Sequence, residues 1–89
     1  MNAVVSVIGK DQVGILAFVS KLCADNGANI LDVSQTVMQD TFAMIMMINI
    51  DNLNVELNAF IEKMANEGKE RCLQIHVMHE NVFNSMHRI

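Results

Sequence analysis

The run Phe42-Ala43-Met44-Ile45-Met46-Met47-Ile48-Asn49-Ile50 narrows the choice of fold more than any other stretch of this chain. Read with a period of two, it places Met44, Met46 and Ile48 on one face and Ala43, Ile45 and Met47 on the other. Both faces are apolar. Such a strand belongs in the middle of a sheet, and the pattern predicts cover on both sides.

Shorter elements flank it. Residues 3–8, Ala-Val-Val-Ser-Val-Ile, are rich in β-branched side chains and read as a buried strand stopped by Gly9. Asp11 is the expected N-cap of the next element. Ile15, Phe18, Val19, Leu22 and Cys23 then recur at helical spacing as a single stripe, closed by Asn26-Gly27. Over residues 30–39, Leu31, Val33 and Val37 alternate with Asp32, Ser34 and Thr36, predicting a strand with one buried and one polar face. Gln39-Asp40-Thr41 reads as the turn into the central run. A second helix is expected from Asp51-Asn52, with Leu57, Phe60, Ile61, Met64 and Ala65 as its stripe and Gly68 at its end. Residues 72–78 form the last strand, with Leu73, Ile75 and Val77 opposed to Gln74, His76 and Met78.

The order β-α-β-β-α-β is the split βαβ motif. Right-handed crossovers turn it into an α+β, ferredoxin-like sandwich. The expected sheet is four-stranded and antiparallel in the order 4-1-3-2, with two helices on one face. A single domain is expected over residues 1–80. A tail, 81–89, carries Val82, Phe83 and Met86 and is expected to form a short helix packing on a neighbour. The other sheet face would carry Ser6, Ser34, Thr36, His76 and Met78, a mixed surface suited to a second subunit.

Composition points the same way. With 89 residues, 52% hydrophobic and 18% charged, the chain holds more apolar material than one small core uses, which predicts a homo-oligomer, dimer or higher. The net charge of −4 and the lack of any Lys/Arg cluster exclude nucleic acid and anionic membrane as partners. Cys23 and Cys72 have neither metal nor redox spacing and are expected to be reduced thiols in a cytoplasmic protein. Met1 to Ile8 is too short for a signal peptide.

Few groups here suit chemistry. Gly9-Lys10-Asp11-Gln12-Val13-Gly14 has the glycine spacing of a phosphate-binding loop, but Ile15-Leu16 stand where Lys and Ser/Thr are needed, so nucleotide binding is rejected. The loop does leave backbone N–H groups at a helix N-terminus, where a carboxylate can be held. Lys10 and Asp11 are either a turn with a cap or a pair that meets the two charges of a zwitterion. His76 and His79 lie three apart on a strand and face opposite ways, so they cannot share one metal. A site shared across subunits, or one using His87, is the alternative to ordinary surface histidines. Cys72 and His76 share a face but stand about 13 Å apart. No Ser/His/Asp set or paired carboxylates appear, so no catalytic residue, metal or cofactor is expected. The eight methionines are read as packing, with adaptable interface surface as the second use.

Taken together, Gly9, Asp11, Gly14-Ile15-Leu16-Ala17, Val19-Ser20, Leu22, Asn29-Ile30 and Asp32 resemble the ACT domain, a small ligand-binding regulatory module. The likeness runs over residues 2–80. Asp32-Val33-Ser34-Gln35-Thr36-Val37-Met38 with Phe42-Ala43-Met44-Ile45-Met46 resembles the stand-alone, single-domain bacterial members, related to the glycine cleavage system transcriptional repressor type. One departure stands out. Many such loops read Asp-Arg-Pro-Gly, whereas this one reads Asp11-Gln12-Val13-Gly14. The resemblance implies pairing edge to edge or through sheet faces. It also implies an amino-acid ligand between the first loop of one subunit and the start of the second strand of another. Carried onto this chain, the ligand-binding residues are Asp11, Gly14, Ile15, Asn29 and Ile30. The expected function is regulatory sensing of an amino acid or similar metabolite, acting through a regulated protein partner. The alternative is an interaction and oligomerisation module without a small-molecule ligand. An enzyme such as an acylphosphatase would need an arginine in the first loop, and the arginines are Arg71 and Arg88.

Overall fold

The computed structural model describes residues 1–86. Its elements run β1 (Asn2–Lys10), α1 (Ile15–Asp25), β2 (Asn29–Met38), β3 (Thr41–Asn49), α2 (Leu57–Lys69), β4 (Leu73–His79) and α3 (Glu80–Met86). The four strands form one sheet in the order β2-β3-β1-β4, with every neighbouring pair antiparallel. This is the expected topology, and α1 and α2 share one face of the sheet.

Beneath the helices lies the core. Val5 and Val7 of β1, Met44, Met46 and Ile48 of β3, and Leu73 and Ile75 of β4 meet Val19 and Cys23 of α1 and Phe60 and Met64 of α2. Every one of these side chains is at most 2% exposed. The stripes read from the 3.6-residue period are the faces that go inside.

The second face of β3 behaves differently. Ile45 is 42% exposed, and Ala43 and Met47 are half-buried, so the central strand is fully covered on the helix side only. Period-two patterning reports that a face is apolar, and it is blind to whether this chain or another molecule covers it.

Several boundaries also move. β1 continues through Gly9 to Lys10. The expected N-cap at Asp11 is not used: Gly14 caps α1 in the left-handed conformation (φ 87°), with no side-chain cap bond. α2 starts at Leu57 rather than at Asp51, because Asp51 to Glu56 form turns. Gly68 does not end α2 but lies inside it. A Cβ there would stand 2.8 Å from Ile75 Cγ1, so the glycine lets helix and strand approach closely. In β2 a bulge at Leu31 breaks the alternation between Ile30 and Asp32, leaving Leu31 50% exposed instead of buried. Asp32 Oδ1 accepts the Val33 N–H at 2.9 Å beside it.

The far end of α1 is locked by polar contacts. Gly27 follows Asn26 with φ 82°, the left-handed value expected there. Buried Asn26 donates through Nδ2 to Leu22 O at 2.7 Å. Its carbonyl accepts the Asn54 N–H at 3.0 Å, and Asn54 Nδ2 donates to Asp25 O at 2.9 Å. The β3–α2 loop is thereby tied to the α1 C-terminus. α3, the start of the predicted tail, has its contacts within the chain against β1 and β4.

Candidate functional site

The first loop leaves β1 at Lys10 and is fixed from two sides. The Asp11 N–H donates to Asp40 O in the β2–β3 turn at 2.7 Å. Gln12 Nε2 donates to Arg71 O at 3.0 Å in the α2–β4 turn. Beyond these ties the chain turns outward. Val13 is 97% exposed and Gly14 has nothing within 4 Å of the position a Cβ would take.

No side chain claims the start of α1, where the first-turn amides carry the positive end of the helix dipole. Gly14 O accepts the Phe18 N–H at 2.9 Å, which opens the helical ladder. A carboxylate placed here would meet backbone donors over an open glycine. Ile15 is buried in the core, so its contribution to such a contact is its backbone. The Asp11 and Lys10 side chains are both exposed at the rim.

Arg71 is the feature that sequence reading missed. Its guanidinium carbon lies 4.1 Å from the centroid of Phe18, on the first turns of α1, a cation–π contact that holds a positive charge beside the loop. Arg71 and Phe18 are far apart in sequence, and no local pattern announces their meeting.

Asn29 and Ile30 lie elsewhere. Along the sheet, Asn29 is level with Asn49 and Asn2, whereas Met38 is level with Thr41 and Lys10. The strand between them spans roughly 30 Å at about 3.3 Å per residue. Within one chain the structure therefore groups Asp11, Gly14 and Ile15 and leaves Asn29 and Ile30 at the opposite end of the sheet. Asn29 is exposed, and Ile30 is half-buried on the helix side.

On the sheet face away from the helices, Ile8, Ala43 and Ile45 floor a hollow of about 220 Å³ rimmed by Ser6, Ser34 and Thr36. The small side chain of Ala43 between two isoleucines creates it.

His76 is exposed, while the His79 ring accepts the Asn81 N–H through Nδ1 at 3.0 Å. The two alternate along β4, as their spacing requires, and His87 lies outside the described residues. Among the described residues no three His, Cys, Asp or Glu side chains group to hold a metal ion. No described helix is long and apolar enough to cross a membrane. Burial pushes the Cys23 thiol up to about 11, so that group is inert at neutral pH. Cys72 is exposed.

With this geometry in view, known proteins can be compared. The ACT domain family model matches residues 2–78. The chain belongs to the ACT domain family. A UPF0237 family protein of Methanocaldococcus jannaschii is 49% identical over 88 residues, covering 99% of this chain and 98% of the relative. The solved structure of an ACT domain protein from Streptococcus pneumoniae superposes with a TM-score of 0.82 at 31% identity, covering 93% of both chains. A formyltetrahydrofolate deformylase from Pseudomonas syringae contains the same fold: TM-score 0.78 at 24% identity, over 86% of this chain and 26% of that one. That last likeness is one of fold alone. The ACT domain here thus occupies almost the whole chain, whereas in the deformylase it is one part of a larger protein.

Proposed function

We propose that this chain is a small regulatory ligand-binding protein that senses an amino acid, or a metabolite of the same zwitterionic kind, at an interface between two copies of itself. The observation that carries the reading is the uncapped α1 N-terminus behind an open Gly14, tethered through Asp11 and Gln12 so that its amides are presented in a fixed direction. Backbone amides at Gly14 and Ile15 take the carboxylate. Asp11, or the Asn29 carboxamide of a second copy, takes the ammonium. Because Asn29 and Ile30 are roughly 30 Å from the loop of their own chain, they serve the loop of a partner. The signal then passes to a regulated protein, since the ACT domain fills nearly the whole chain.

The rival reading, an interaction module without a ligand, draws on the hollow over Ala43 and the exposed Ile45. A melting screen against the twenty amino acids separates the two. A ligand present at a hundred times its dissociation constant adds about 2.7 kcal/mol to stability. A rise in melting temperature with one or two amino acids supports sensing. A flat panel from a stable oligomer supports the interaction module.

A further inference from the structure

The geometry points to β2 as the surface on which a second copy of this chain docks, strand against strand and antiparallel, with the twofold axis passing at Gln35. This rests on the two-chain reading of the site and specifies the arrangement that completes it.

β2 is an edge strand, so its outward N–H and C=O groups have no partner in the chain. Edges that must stay single are guarded by lysine, proline or brevity. β2 has ten residues, no proline and no lysine, with Asp32 as its one charge, and its single bulge is confined to Leu31 near the start. Apolar surface accompanies the edge. Val37 is 50% exposed and Leu16 of α1 is 40% exposed. Phe18, Leu22 and Asp25 line the groove that α1 forms with Lys63 and Glu67 of α2. At about 100° per residue, Leu16 falls on the opposite flank of α1, over β2. The domain measures 35 × 34 × 19 Å, so this side is a wall of on the order of 650 Å² before surface relief. A standard interface takes about 800 Å² from each partner, so the wall is of the right size.

The register follows from the pleat. Directly opposed residues of an antiparallel pair share a face. With the axis at Gln35, Val33 meets Val37 of the partner subunit on the helix side. Ser34 meets Thr36 of the partner subunit on the open side, and the two Gln35 carboxamides face each other. Apolar pairs with apolar and hydroxyl with hydroxyl. An axis at Ser34 would set Val33 against Gln35, and an axis at Val33 would set Gln35 against the bulged Leu31. The Gln35 axis also serves the site. Gln35 is level with Met44 and Asn29 with Asn49, so the rotation brings the partner subunit's Asn29 level with the Gln39–Asp40 turn. That turn holds the Asp11 N–H.

Disulfide trapping tests the register. Cys72→Ser removes the exposed native thiol, and Gln35→Cys, Ser34→Cys and Val33→Cys are then introduced one at a time and oxidised at micromolar protein. A residue on the axis opposes its own copy within the Cα range a disulfide bridges. Gln35→Cys is expected to form covalent dimer at least tenfold faster than the other two. Val37→Glu, an exposed position that leaves the core intact, is expected to shift the protein to monomer in sedimentation, and Ile45→Glu on the open face is not. Faster trapping at Ser34 or Val33, a dimer dissolved by Ile45→Glu and not by Val37→Glu, or a monomeric parent protein at tens of micromolar overturns the proposal. The amino-acid panel reads the site separately. Trapping at Gln35 with a flat panel upholds this pairing and sinks the sensing function. A selective ligand with trapping elsewhere does the reverse.

Discussion

Gly14 and Gly27 bracket α1 with almost the same backbone angle, φ 87° and φ 82°, yet alanine at the two positions should have different consequences. Each substitution pays the left-handed penalty of a Cβ, about 1–2 kcal/mol. At Gly14 that is the whole cost, because nothing lies within 4 Å of the new carbon. At Gly27 the Cβ would lie 2.3 Å from Asn52 O and 3.3 Å from Asn54 N, well inside ordinary contact. The β3–α2 loop must retreat, which breaks the Asn54 N–H bond to Asn26 O and the Asn54 Nδ2 bond to Asp25 O. At about 0.5–1.5 kcal/mol per bond, Gly27→Ala totals about 3–5 kcal/mol. The gap of about 2–3 kcal/mol corresponds to roughly 10–20 °C in Tm for a domain of this size. The chain has no tryptophan or tyrosine, so far-UV circular dichroism is the suitable probe of urea and thermal unfolding. Equal losses at the two positions would refute the role given to the Asn52–Asn54 loop. Gly14→Ala, still folded, should lose the melting response to an amino acid, which makes it a clean probe of the ligand site.

Met64→Ala removes a fully buried side chain from the middle of α2 and is expected to cost about 2–5 kcal/mol in urea unfolding. Cys23 holds its proton up to about pH 11 in the folded protein and only to about 9 once unfolded. Stability should therefore be steady below pH 9 and fall as pH rises from 9 towards 11, and Cys23→Ala should flatten that limb. The same burial predicts that a thiol reagent at neutral pH titrates Cys72 at once and Cys23 only after denaturant is added. Gln12→Ala removes the bond to Arg71 O and is expected to lower stability by about 0.5–1.5 kcal/mol. Hydrogen exchange in the first loop should quicken in that variant, and unchanged exchange would show that Asp11 alone holds the loop.

The fold was legible because its signals are local. Val19, Cys23, Phe60 and Met64 repeat at helical spacing, and Val5, Val7, Ile75 and Val77 repeat at strand spacing. Those periods follow from backbone geometry, which each segment carries by itself. The site was legible only as a list. Asp11 and Gly14 sit where the reading put them, but that Asn29 stands at the opposite end of the sheet is a consequence of strand register. Arg71 reaching Phe18, and Gln12 reaching Arg71, depend on how α2 returns to β4. The boundaries that moved have the same origin. Asp11 spends its N–H on Asp40, and Gly68 lies inside α2 because Ile75 needs the space. The sequence by itself determined the elements, their order and the apolar face of each, since side-chain period and turn residues act over a few positions. The tertiary structure decided which apolar face stayed open and which strand became an unguarded edge. It also set the loop and Asn29 too far apart to serve one chain, because those are properties of how distant segments meet.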